Sequence, residues 1–175
     1  SLEEAVQAYK FYANQTNVPI LLHLDHGQSL DVIKEAIDVG FPSVMIDGSM
    51  YDFDRNVRLT QEVVSYAYNK DVAVEAEIGH VGAGKSYETD VVSESIYTSV
   101  EEAVQFVKET GVDSLAISIG TVHGHYQGEP KLNFARLAEI KAAVDVPLVL
   151  HGGSSSGDAN LAKTISLGII SKSSP

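Results

Sequence analysis

Five times along this sequence a short apolar run closes on histidine, aspartate, glutamate or a glycine turn: LHLDHG, MIDGS, EAEIG, SIGTVHG and LHGGS. The runs themselves, PILLHL, SVMID, VAVEAEI, SLAISI and VPLVLH, have the length and β-branched content of buried strands. Helix-period stretches alternate with them. One spans about Leu2 to Asn14, with Ala5, Val6, Ala8, Tyr9 and Tyr12 near one side. In the next, Ser29 is a candidate N-cap, Val32, Ile33, Ala36 and Ile37 form an apolar stripe, and Gly40 is a stop. Asp52 or Asp54 opens a third, running to about Asn69. Ser99 with Glu102 makes a capping box for a fourth that ends at Gly111. Asn133 begins a fifth, and a sixth runs from about Asp158 to Leu167 and stops at Gly168. Strand–helix alternation of this kind builds a parallel sheet.

Two parallel architectures fit, an open doubly wound sheet and a βα-barrel. The strand ends separate them. An open sheet uses two or three strand ends for its ligand at a switch in strand order, whereas a barrel gathers polar groups from the carboxyl ends of many strands. Here all five ends are polar or glycine-rich. Glu75 and Glu77 also lie two apart, on one face of their strand. Acidic groups on an interior face are costly unless paired or bound to a cation. The expected fold class is therefore α/β, a TIM (β/α)8 barrel, with residues 1–175 forming one α/β-barrel domain.

The chemistry available is bounded by composition. The 175 residues carry a net charge of -12, which excludes the basic footprint that nucleic acid requires and disfavours an anionic membrane surface. No apolar run approaches the ~20 residues of a membrane span. There is no cysteine, so no disulfide forms and any bound metal must use histidine or carboxylate. Both features fit a reducing, cytoplasmic setting.

The stretch GHVGAGKS, Gly79 to Ser86, fits the G-x-x-x-x-G-K-[ST] pattern of phosphate-cradling loops. Such a loop must launch a helix at its Lys-Ser. Lys85 and Ser86 are instead followed by YETDVVSESIYTS, which is poor in helix signals. The preceding strand would set two glutamates beside the phosphates. A glycine-containing loop beside an active site is the better reading, with nucleotide binding as the alternative.

Three histidines stand at strand ends, His26, His123 and His151, each followed by glycine. Three histidines around an open position is a catalytic zinc arrangement. His23 fits an interior position, and His80 and His125 fit loops. Asp25, immediately before His26, can act as general acid or base, or orient a histidine ring. Gly124 and Gly152-Gly153-Ser154 offer backbone amides and a hydroxyl suited to a phosphate nest, or are ordinary tight turns.

Taken in order, LLHLDHG, SVMIDGS, VEAEIG, SIGTVHGHYQGEPKLNF and VPLVLHGG resemble the class II, metal-dependent ketose-bisphosphate aldolases over about Val18 to Gly168. The resemblance implies reversible aldol cleavage of fructose-1,6- or tagatose-1,6-bisphosphate to dihydroxyacetone phosphate and glyceraldehyde 3-phosphate, in a homodimer. It implies Zn2+ held by His26, His123 and His151. Glu77 matches an alternative metal position, and Asp47 a nearby carboxylate. Asp25 exchanges a proton with the substrate's C4 hydroxyl. Gly124, Gly152 and Ser154 bind the substrate phosphate, often with a monovalent cation, Na+ or K+. The family pattern places a glutamate base on the mobile loop. Here GAGKSYETD stands in that place, with Glu88 as first choice and Asp90 as reserve. A full barrel needs about 250 residues, so the resemblance implies an incomplete barrel, about strands 3 to 7, truncated at both ends. A metal-binding barrel fragment without turnover is the alternative function.

Overall fold

The computed structural model describes residues 1–27, 29–79, 82–83, 97–123, 131–153 and 156–171, of which 82–83, 122–123 and 170–171 are described as backbone only. It is an α/β structure whose strands pair in parallel. Two compact units are present: Ser1–Ala76 with Thr110–Asp113, and Glu77–Glu109 with Ser114–Pro175.

The first unit runs α1 (Leu2–Ala13), β1 (His23–Gly27), α2 (Leu30–Val39), β2 (Ser43–Ile46), α3 (Phe53–Tyr68) and into β3 (Ala73–Ile78). β2 lies between β1 and β3, parallel to both. The helix boundaries follow the capping chemistry. The Ser29 hydroxyl accepts from the Val32 amide at 3.2 Å, and Asp52 Oδ1 accepts from the Arg55 amide at 2.8 Å. Gly40 closes α2 at φ 106, a left-handed conformation that only glycine adopts without strain. Ile33, Ala36 and Ile37 of α2, Val44, Met45 and Ile46 of β2, and Val57 and Val63 of α3 are buried. Of the expected α1 stripe only Val6 is buried; Tyr12 is 63% exposed. The segment Thr110–Asp113 is tied to β3 by Asp113, whose amide donates to the Val74 carbonyl and whose carboxylate accepts from the Val74 amide, at 2.9 and 2.8 Å.

One strand boundary differs from the sequence expectation. PILLHL reads as a strand over 19–24, but β1 begins at His23. Its register with β2 pairs His23 with Ser43, and Ser43 directly follows Pro42. Proline cannot supply the next ladder donor, and Val18, Ile20 and Leu21 remain exposed.

The second unit takes the end of β3, then β4 (Gly82–Ala83), α4 (Val100–Thr110), β5 (Ser114–Ile117), β6 (Val122–His123), α5 (Phe134–Ala143), β7 (Leu148–Leu150), α6 (Asp158–Ser166) and β8 (Ile169–Ser171). β7 lies between β5 and β8, and β4 pairs with β6. The Ser99–Glu102 capping box is formed, and Asn133 caps α5 by accepting from the Arg136 amide at 3.0 Å. The strand β8 is an addition to the five expected runs. LGIIS carries only two apolar residues after Gly168, yet it gains the whole edge of β7, with Leu148, Val149 and Leu150 facing Ile169, Ile170 and Ser171. Pairing to an existing strand stabilises a segment too short to announce itself.

Candidate active site

The carboxyl end of β1 departs from regular strand geometry. Leu24 pairs with Val44 and Gly27 with Ile46, so Asp25 and His26 together face the single residue Met45. This is a β-bulge, a device that re-aims side chains. His26 carries its strain, with φ 49, a left-handed conformation uncommon for a residue with a Cβ. Gly27, which follows His26, serves close packing. A Cβ there would lie 2.6 Å from Ile33 Cγ1 and 2.6 Å from the Met45 carbonyl oxygen, so glycine is required by close packing.

The bulge brings three of the expected site residues together. His26 Nδ1 lies 2.9 Å from Asp47 Oδ2, and His26 Nε2 lies 3.8 Å from Asp25 Oδ1. Asp47 follows β2 directly and is fixed from both sides. Its amide donates to the Gly27 carbonyl at 2.9 Å, and its Oδ1 accepts from the Ser49 hydroxyl at 2.7 Å and the Ser49 amide at 3.2 Å. A carboxylate only accepts, so His26 Nδ1 carries the proton and, in the neutral ring, Nε2 carries the lone pair. A histidine held this way by an outer carboxylate is the usual arrangement of a metal ligand. The donor set suits zinc, being imidazole and carboxylate without thiolate.

Burial alone would raise the Asp47 carboxyl, but hydrogen bonds from His26 and from the Ser49 hydroxyl and amide outweigh it and hold the pKa at about 2, against an ordinary 3.8. A depressed folded-state pKa means that the unfolded chain binds the proton more readily. The stabilisation is therefore complete above about pH 4 and is lost as pH falls through about 2. Its size is about 2 kcal/mol. Asp47→Asn should remove it. In metal-free protein the wild-type advantage measured by urea unfolding should be about 2 kcal/mol at pH 6 and should shrink steadily between pH 4 and pH 2.

His23 belongs to a separate polar cluster. Its Nδ1 is 2.7 Å from the Ser43 hydroxyl and its Nε2 is 3.8 Å from Glu75 Oε2. Ser43 and Glu75 are both buried, which agrees with the interior position expected of His23.

In the second unit, Glu77 is buried near the carboxyl end of β3, and His151 is buried directly after β7. Gly152 follows with φ 72, the turn conformation expected of it, and Gly153 is buried. The backbone of His123 lies in β6, opposite Ala83. Glu88, Asp90, Gly124 and Ser154 lie outside the described residues. Sequence reasoning missed Thr98, which joins two strand ends: its hydroxyl donates to the Ile78 carbonyl at 3.1 Å and accepts from the Ser118 amide at 2.9 Å. It also missed Ser49, although D-G-S after a strand is a turn signal that places a hydroxyl near the aspartate.

Of GHVGAGKS, Gly79, Gly82 and Ala83 are described. Gly82 and Ala83 form strand β4, and Lys85 and Ser86, where such a loop launches its helix, lie outside the described residues. Among the described residues no helix is long and apolar enough to cross a membrane.

Comparison with known proteins agrees with this geometry. The chain is 50% identical over 151 residues, 86% of its length, to 6-phospho-5-dehydro-2-deoxy-D-gluconate aldolase of Shouchella clausii. Its structure is similar to that of the YdjI aldolase from Escherichia coli K12, with a TM-score of 0.83 and 40% identity over 98% of this chain. The fold is also that of a fructose-bisphosphate aldolase from Campylobacter jejuni, at a TM-score of 0.75 and 24% identity over 95% of this chain. The chain spans 50% of the curated relative and 59% and 55% of the two solved chains, so the shared fold is a partial TIM barrel. The model of the family fructose-bisphosphate aldolase class II matches residues 1–172, and the chain belongs to that family.

Proposed function

We propose that the protein is a zinc-dependent aldolase that cleaves and forms a carbon–carbon bond in a phosphorylated ketose-type substrate. The observation that carries this reading is the His26–Asp47 hydrogen bond at the β1 bulge, with Asp25 beside it. It combines an oriented imidazole with a second carboxylate that is 37% exposed and open to substrate.

In this reading His26, His123 and His151 hold the ion, and Glu77 offers an alternative ligand. A bound zinc ion supplies Lewis-acid polarisation of substrate oxygens, the task other aldolases give to a Schiff-base lysine. Asp47 and Ser49 keep the His26 ring in its ligating tautomer. Asp25 accepts the proton of the substrate hydroxyl as the carbon–carbon bond breaks and returns it in the synthetic direction. Glu88 is the proposed loop base, with Asp90 in reserve. Gly124, Gly152, Gly153 and Ser154 receive the substrate phosphate, alone or with a monovalent cation. The working assembly is a homodimer in the cytoplasm.

Two substrate readings stand. Fructose-1,6-bisphosphate follows from the family's description, and tagatose-1,6-bisphosphate from the motif resemblance. A phosphorylated keto acid follows from the 50% identity to the Shouchella clausii enzyme. Purified protein should be assayed for triose phosphate release from fructose-1,6-bisphosphate, tagatose-1,6-bisphosphate and 6-phospho-5-dehydro-2-deoxy-D-gluconate. One of the three should be cleaved, dipicolinate should abolish the activity, and zinc should restore it. Chelator-resistant turnover, or inactivity of zinc-loaded protein on all three, would overturn the proposal.

A further inference from the structure

Asn56 lies in the first turn of α3, is 3% exposed, and accepts a hydrogen bond from the buried Thr60 hydroxyl at 3.3 Å. Its amide side chain presses on Gly48. A Cβ at Gly48 would lie 2.1 Å from Asn56 Oδ1, 2.6 Å from its Cγ and 3.3 Å from its Cβ. Gly48 is not among the residues with positive φ, so no backbone conformation demands glycine there. The Asn56 side chain does.

Gly48 is the first residue of the turn between β2 and α3, closed by the Tyr51 amide on the Gly48 carbonyl at 3.0 Å. It stands between Asp47, which orients His26, and Ser49, which fixes the other oxygen of Asp47. The geometry points to Asn56 as a positioning residue for His26. Its buried amide sets the depth of the Gly48 backbone. That places Ser49 against Asp47 Oδ1 and leaves Asp47 Oδ2 at hydrogen-bond distance from His26 Nδ1. Asn56 is placed to act through this turn. The zinc part of the test rests on the proposed function; the tautomer part does not.

Asn56→Ala and Gly48→Ala should each damage the site from opposite sides of the same contact, the first by removing the support and the second by colliding with it. Joined, they should compensate, because truncation removes the two closest atoms and leaves only the 3.3 Å approach of the two Cβ atoms. The first readout is the His26 Nδ1–H signal in 1H–15N spectra of metal-free protein, strong in the wild type and averaged between tautomers in each single variant. The second is zinc affinity by chelator competition, expected to fall about 10–100-fold in each single variant and to recover to within a few-fold in the double variant. Val63→Ala, which opens a buried site on the same helix, controls for simple loss of stability and should change neither readout. The inference fails if Asn56→Ala behaves as Val63→Ala does, or if the double variant shows additive losses. Absence of zinc binding by the wild type would count against the metal proposal alone, and the tautomer comparison would still decide the role of Asn56.

Discussion

Asp25→Asn should lower kcat for cleavage by about 10²–10⁴-fold, the range that a positioned general acid or base supplies. The substitution keeps shape and hydrogen-bonding reach but leaves no group that can accept a proton at neutral pH. The local structure argues that the loss will be chemical. Asp25 is the outer member of the bulge pair, 37% exposed where Asp47 is 13% exposed. His26 is oriented by Asp47, at 2.9 Å, and Asp25 stands 3.8 Å from the opposite ring nitrogen. Losing the Asp25 charge therefore spares the orienting bond. Zinc per chain, measured by mass spectrometry, should stay at the wild-type level while kcat and kcat/KM fall together, the pattern of an interaction made only in the transition state. A fall of less than about tenfold, or a parallel loss of zinc, would reassign Asp25 to holding the histidine.

The separate tasks of Asp25 and Asp47 mark the limit of what was legible in the sequence. Strand–helix order was legible because apolar period and caps are local: Ser29, Asp52, Ser99 and Asn133 cap the helices expected of them. The polar strand ends were legible for the same reason, since the residue following a buried run stands at its mouth. The bulge was not. LHLDHG reads as plain alternation, and the extra residue appears only when β1 is set against β2 and Asp25 and His26 share Met45 as partner. Asn56 was invisible because it fills the space beside Gly48, eight residues away, and no periodicity encodes that packing. The β8 strand was missed because its stability resides in the β7 edge and not in its own two apolar residues.

His26→Asn should abolish stoichiometric zinc binding, with a loss of affinity well beyond the roughly 10–100-fold that removal of an outer-shell partner costs. Asparagine is the informative replacement. His26 sits at φ 49, where asparagine is tolerated and alanine is strained, so His26→Asn keeps the bulge while replacing an imidazole by an amide that binds zinc poorly. Three variants should then fall in a fixed order. His26→Asn loses the metal. Asp47→Asn weakens it by about 10–100-fold, because the ring remains but its tautomer is no longer enforced. His23→Asn leaves zinc affinity unchanged, because that imidazole is engaged with Ser43 and Glu75. Since His23 and His26 lie three residues apart in one motif, composition cannot separate them; the bulge does, by giving only His26 the Asp47 partner. Zinc affinity from chelator competition at neutral pH decides the order. If His23→Asn lost the metal and His26→Asn kept it, the assignment of the imidazole ligand would move to His23.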